Sequence, residues 1–90
     1  MKVLKFGAVW CNGCLVMRPR WAEIEKEIPN LVTEYHDFDQ EPDLVTKYHL
    51  DSGVMPVAIF LDKNNQEITR LSGEVSKEDI LEIIHTHQNS

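Results

Sequence analysis

The spacing of apolar positions changes several times along this chain, and each change predicts an element. Val3 to Val9 is a short apolar run broken only by Lys5 and Gly7, the pattern of a strand. Asn12 and Gly13 are turn formers. From Cys14 to Ile28, the residues Met17, Trp21, Ile24 and Ile28 recur at spacings of four, three and four, one face of a helix. Arg18, Arg20, Glu23, Lys26 and Glu27 lie off that face. Pro19 falls inside the pattern, where it removes one backbone hydrogen bond and is expected to bend the helix, and Pro29-Asn30 ends it.

Leu31 to Phe38 reads as a second strand, and its polar Glu34, His36 and Asp37 suit a sheet edge. Asp39-Gln40-Glu41-Pro42 opens a short helix with apolar contacts from Leu44, Val45 and Tyr48. Asp51-Ser52-Gly53 is a loop. Val54 to Leu61 is the most apolar strand, with Met55-Pro56 at its start, where proline is tolerated. Asp62 to Gln66 is a hairpin turn, Glu67 to Leu71 the returning strand, and Gly73 breaks it. Ser76, with Asp79 three residues on, starts a last helix carried by Ile80, Leu81, Ile83, Ile84 and His87, which frays into Gln88-Asn89-Ser90. The order is β-α-β-α-β-β-α. The first two strands need a crossover and should be parallel, and the last two form a hairpin. An α/β fold follows, a four-stranded mixed sheet with helices on both faces.

Ninety residues, 1–90, make one domain with one core that needs no disulfide staples. The net charge of −6, from 15 acidic and nine basic residues without a basic run, argues against nucleic acid as a partner. No stretch approaches the ~20 apolar residues of a membrane span. Met1 to Lys5 is too short and polar for a signal peptide, so the expected location is cytoplasmic. Thiols are kept reduced there, and a close cysteine pair is then catalytic or metal-binding before it is structural.

That pair is Cys11 and Cys14, placed where the first strand gives way to the first helix. A cysteine at a helix N-terminus meets unpaired N–H groups and the positive end of the helix dipole, which favour its thiolate. The second cysteine, one turn in, can close a disulfide with the first. One thiol can attack and the other resolve, the minimum for thiol–disulfide exchange. His36, His49, His85 and His87 do not combine with the cysteines into a compact zinc spacing, so no metal site is expected.

Further residues extend the pattern. Trp10 precedes Cys11, Pro19 lies within the following helix, and Phe38-Asp39 leads to Pro42 and Tyr48. Met55-Pro56, Gly73 and the Ser76 helix start come after. In this order they resemble the thioredoxin fold over nearly the whole chain, from Val3 to the last helix. The resemblance implies a small, glutaredoxin-sized version lacking the first strand and helix of ordinary thioredoxins. It implies a thiol–disulfide oxidoreductase that reduces protein disulfides without a bound cofactor. Its partners would be protein disulfide substrates and a reductase, and the chain a monomer.

The resemblance also assigns roles. Cys11 would be the exposed nucleophile and Cys14 the buried resolving thiol, with Cys11-Cys14 the disulfide. Trp10, Asn12, Gly13 and Pro56, the last in cis, would support the site. Trp10, Met55, Pro56 and Gly73 would meet an extended substrate. Set against these are an ordinary core tryptophan at position 10 and a trans Pro56.

The chain departs from the pattern in several places. Asn12-Gly13 stands between the cysteines, Lys5 where thioredoxins carry a buried aspartate, Gly7 where they have a second tryptophan, and Val57 after Pro56. Lys5 either tunes the thiols, since a cation favours thiolate, or extends to solvent. A binding, adaptor or redox-sensing module with little turnover is the main alternative function. Glutathione-dependent and zinc-binding readings are further ones.

Overall fold

The computed structural model describes residues 1–87. Strand β1 (Lys2–Gly7) is followed by α1 (Asn12–Glu27), β2 (Val32–Asp37) and α2 (Pro42–Lys47). A 3₁₀ turn (Ser52–Val54), β3 (Val57–Leu61), β4 (Glu67–Ser72) and α3 (Lys77–His87) complete the order. The sheet runs β2-β1-β3-β4. β1 and β2 are parallel, and β3 is antiparallel to both β1 and β4. The expected fold class, a four-stranded mixed sheet with helices on both faces, is the one observed.

Alternation along β1 and β3 builds two cores from one sheet. Val3, Ala58 and Phe60 face α1 and α3, where they pack with Met17, Trp21, Ile24, Ile80 and Ile84. Leu4, Phe6, Val57, Ile59 and Leu61 face the other way, toward Leu44, Tyr48 and Leu50. Every residue of β3 is buried, as befits an interior strand covered on both sides. β2 lies at the sheet edge, and its Val32 and Tyr35 are exposed.

The element ends differ from the expected ones where backbone capping outweighs apolar pattern. β1 stops at Gly7, two residues before the apolar run does, because the chain must turn; Val9 is 93% exposed. α1 begins at Asn12, not Cys14, because Cys11 is its N-cap, in extended conformation. β3 begins at Val57, because Ser52–Val54 is a 3₁₀ turn in which the Asp51 side chain accepts from the Gly53 N–H at 2.9 Å. Gly73, at φ +77°, ends β4 in a conformation open to glycine. The expected fraying of Gln88-Asn89-Ser90 lies outside the described residues.

Candidate active site

The β1–α1 junction sets the geometry. Ala8 to Trp10 turn the chain, with the Cys11 N–H donating to the Ala8 carbonyl at 3.2 Å. Cys11 then caps a 16-residue helix, and its Sγ accepts from the Cys14 N–H at 3.2 Å. This cap satisfies a helix N–H that would otherwise lack an acceptor and places Sγ at the positive end of α1. Cys11 and Cys14 are joined in a disulfide, Cα to Cα 5.4 Å.

Burial of the two cysteines is the reverse of the expectation. Cys11 is 7% exposed and Cys14 only half-buried. The strand-to-helix corner encloses Cys11. Cys14 faces β1 at Gly7, which supplies no side chain, so Cys14 lines an open pocket instead of entering the core.

The remaining expected residues gather around this corner. Gly13 sits against Pro56: a Cβ there would stand 3.0 Å from the proline Cδ, so the bare backbone of residue 13 lets the first turn of α1 lie close against the Met55-Pro56 segment. The Met55–Pro56 peptide bond is cis. The Pro56 carbonyl accepts from the Gly73 N–H at 2.8 Å, tying the end of β4 to the same spot. Asn12 is exposed at the first helical position.

Trp10 is 46% exposed and is not a core tryptophan. Its indole N–H donates to Asp39 Oδ2 at 2.8 Å, and its ring meets Phe38 edge-on at 5.8 Å. Val9, Leu15, Val16 and Val54 are exposed apolar residues as well.

Lys5 does not extend freely to solvent. Its Nζ contacts Glu25 Oε2 on α1 at 2.7 Å and lies 5.8 Å from the Trp21 ring centre. It lines the same pocket as Cys14.

Glu25 and Tyr35 escaped the sequence reading, and Asp39 entered it as a helix opener and a mark of the resemblance but without its contact to Trp10. Glu25 and Asp39 look like surface acids until the helix and the following loop are docked. Tyr35 had one visible signal, the small Gly7 on the neighbouring strand. His36 is held by Glu34 and Glu41, at 3.1 and 2.8 Å. No group of three His, Cys, Asp or Glu able to hold a metal ion occurs among the described residues. No helix among them is long and apolar enough to cross a membrane.

The sequence profile of the Thioredoxin family matches residues 1–86. The chain belongs to the thioredoxin family. It is 44% identical over 71 residues to a thioredoxin of Oryza sativa subsp. japonica, covering 79% of this chain and 50% of the rice protein. A thioredoxin of Ophiophagus hannah is 32% identical over 82 residues, covering 91% and 74% of the two chains. The X-ray structure of Fasciola hepatica thioredoxin superposes with a TM-score of 0.84 at 31% identity, covering 96% of this chain and 79% of that one. The chain thus spans about half the length of the rice relative and most of the other two. On the β1 side of the site stand Lys5, Gly7 and, across from them, Tyr35.

Proposed function

We propose that the chain is a thiol–disulfide oxidoreductase that reduces protein disulfides through a Cys11/Cys14 dithiol–disulfide cycle. One observation carries the reading: two cysteines form a disulfide across the first turn of α1, with Cys11 Sγ at the helix end. Family membership supports it.

Cys11 is the attacking thiol. The Cys14 N–H and the helix dipole both stabilise a negative sulfur there, and neither acts equally on Cys14. The assignment rests on this electrostatic asymmetry and not on exposure. Cys11 thiolate attacks the substrate disulfide, forming a mixed disulfide and expelling one substrate thiolate. Cys14 then loses its proton and attacks Cys11 Sγ. The Cys11–Cys14 bond forms, the mixed disulfide breaks, and the second substrate thiolate takes a proton from water. The substrate gains two electrons and the dithiol loses them. An external reductase would restore the dithiol.

Trp10, Met55, Pro56 and Gly73 form the contact surface. The Met55 N–H is turned to the Ser52 carbonyl at 3.5 Å, so an extended substrate would pair with the Met55 carbonyl. We place the protein in the cytoplasm as a monomeric single domain over 1–90; the family profile spanning residues 1–86 supports the single domain, and a dithiol that reduces disulfides suits a compartment that keeps thiols reduced.

Turnover with a protein disulfide tests the reading. Cys11→Ser should abolish it, and Cys14→Ser should trap a mixed disulfide on Cys11, visible by mass. An unmodified protein that binds disulfide partners but does not turn over would favour an adaptor or redox-sensing module.

A further inference from the structure

Tyr35, on the edge strand, approaches Gly7 from the side of the sheet where Cys14 also lies. It is paired in register with Lys5 on β1, so both side chains project from the same face of the sheet, the one covered by α1. Two residues along β1, on that face, stands Gly7. A Cβ on Gly7 would lie 2.9 Å from Tyr35 Oη and 3.0 Å from Cys14 Sγ. The phenol and the sulfur therefore converge on the space that a side chain at position 7 would fill. Tyr35 is 55% exposed, so it is not a core side chain.

Resting on the dithiol cycle above, we propose that the Tyr35 hydroxyl is a hydrogen-bond donor to the Cys14 thiolate, and that it sets the rate at which Cys14 resolves the mixed disulfide. Reduction breaks the bond to Cys11 and frees Cys14 Sγ to turn toward the phenol. A phenol can donate to a thiolate, and a bond made to the charged form favours that form. The other charged groups lining the pocket are Lys5 and Arg18. Lys5 is engaged with Glu25, which offsets its charge, and Arg18 is exposed. The pocket itself, about 80 Å³, has room for water, so the Cys14 proton has an exit.

The chemistry gives the effect a sign at each end of the pH scale. For each unit by which the bond lowers the Cys14 thiol, the thiolate fraction rises about tenfold below its titration. Nucleophilicity falls by about threefold, given a Brønsted slope near 0.4–0.5. The net gain is about threefold at neutral pH. Above the titration the thiolate is fully formed in either case, and the bond then slows attack.

The experiment is stopped-flow mixing of the reduced protein with excess 5,5′-dithiobis(2-nitrobenzoate). Release of the first thionitrobenzoate reports Cys11 attack, and release of the second reports resolution by Cys14. Tyr35→Phe should slow the second phase about threefold at pH 7 and speed it at pH above the thiol titration, so that the two pH profiles cross. Gly7→Ala keeps the hydroxyl but parts it from the sulfur, and should slow the second phase at pH 7 likewise. A Tyr35→Phe ratio that is unity, or that stays constant with pH, overturns the proposal while leaving the dithiol cycle intact. A missing second phase in the unmodified protein overturns both.

Discussion

Lys5 lies between buried Leu4 and Phe6, on the strand that leads into the cysteine-bearing turn. Strand alternation sends its side chain toward α1, and Glu25, one turn past Trp21, is placed to meet it at 2.7 Å. The lysine side chain is 21% exposed and the glutamate 35%, so solvent screens part of the attraction. In a double-mutant cycle by urea unfolding, Lys5→Met and Glu25→Gln should show a coupling of about 1 kcal/mol, smaller at high salt. A coupling of zero would mean that Lys5 contributes only its packing on Trp21. The sequence placed Lys5 near the cysteines but left its partner open, because Glu25 is 20 residues away and reads as one acid of a solvated helix face.

The starts of α2 and α3 were legible in the sequence, since a proline at the first position and a serine cap are local signals, whereas the Cys11 cap of α1 was not read. Ser76 was read as the start of the last helix, and its Oγ accepts from the Asp79 N–H at 3.1 Å ahead of α3. Ser76→Ala should cost about 1 kcal/mol in denaturant unfolding, because the N–H loses its acceptor. Ser76→Asp should keep most of that stability, since an aspartate caps equally well and its charge suits the helix end. Equal losses in the two variants would place the effect outside capping. Strand ends were less legible. Apolar residues continue past Gly7 to Val9 and Trp10 and begin before Val57, yet those residues turn the chain or face outward. Hydrophobicity alone does not separate a core residue from one exposed beside a functional site.

Across the whole molecule, charge links stability to pH at sites away from the cysteines. Lys2 and then His36 hold the Glu34 carboxyl below its ordinary range, and Arg70 does the same to Glu67. Glu67 in turn raises the Arg70 guanidinium, and Glu27 raises the Lys77 ammonium. A carboxyl depressed in the folded state binds protons more readily when unfolded, so its contribution is present above the unfolded value. It is lost as pH falls through the folded one. The raised cations act in the opposite sense, contributing below their unfolded values and losing that contribution only in strong alkali. Urea midpoints should therefore hold from neutral pH down to the carboxylate range and then fall. Glu67→Gln should flatten part of that fall, and an unchanged acid limb would remove the Glu67–Arg70 pair from the account.

By itself the sequence determined the order of elements, the alternation that gives one sheet two apolar faces, the edge position of β2 and the cysteine pair at a helix start. These depend on contacts within a few residues or on the period of apolar positions, and both can be read along a chain. Only the tertiary structure decided which cysteine is enclosed, what Lys5 and Trp10 pair with, and that Tyr35 and Cys14 converge on the bare backbone of Gly7. Each of these depends on the parallel register of β1 with β2 and on the docking of α1 across it. Those arrangements bring together residues far apart in sequence, and no local pattern records them.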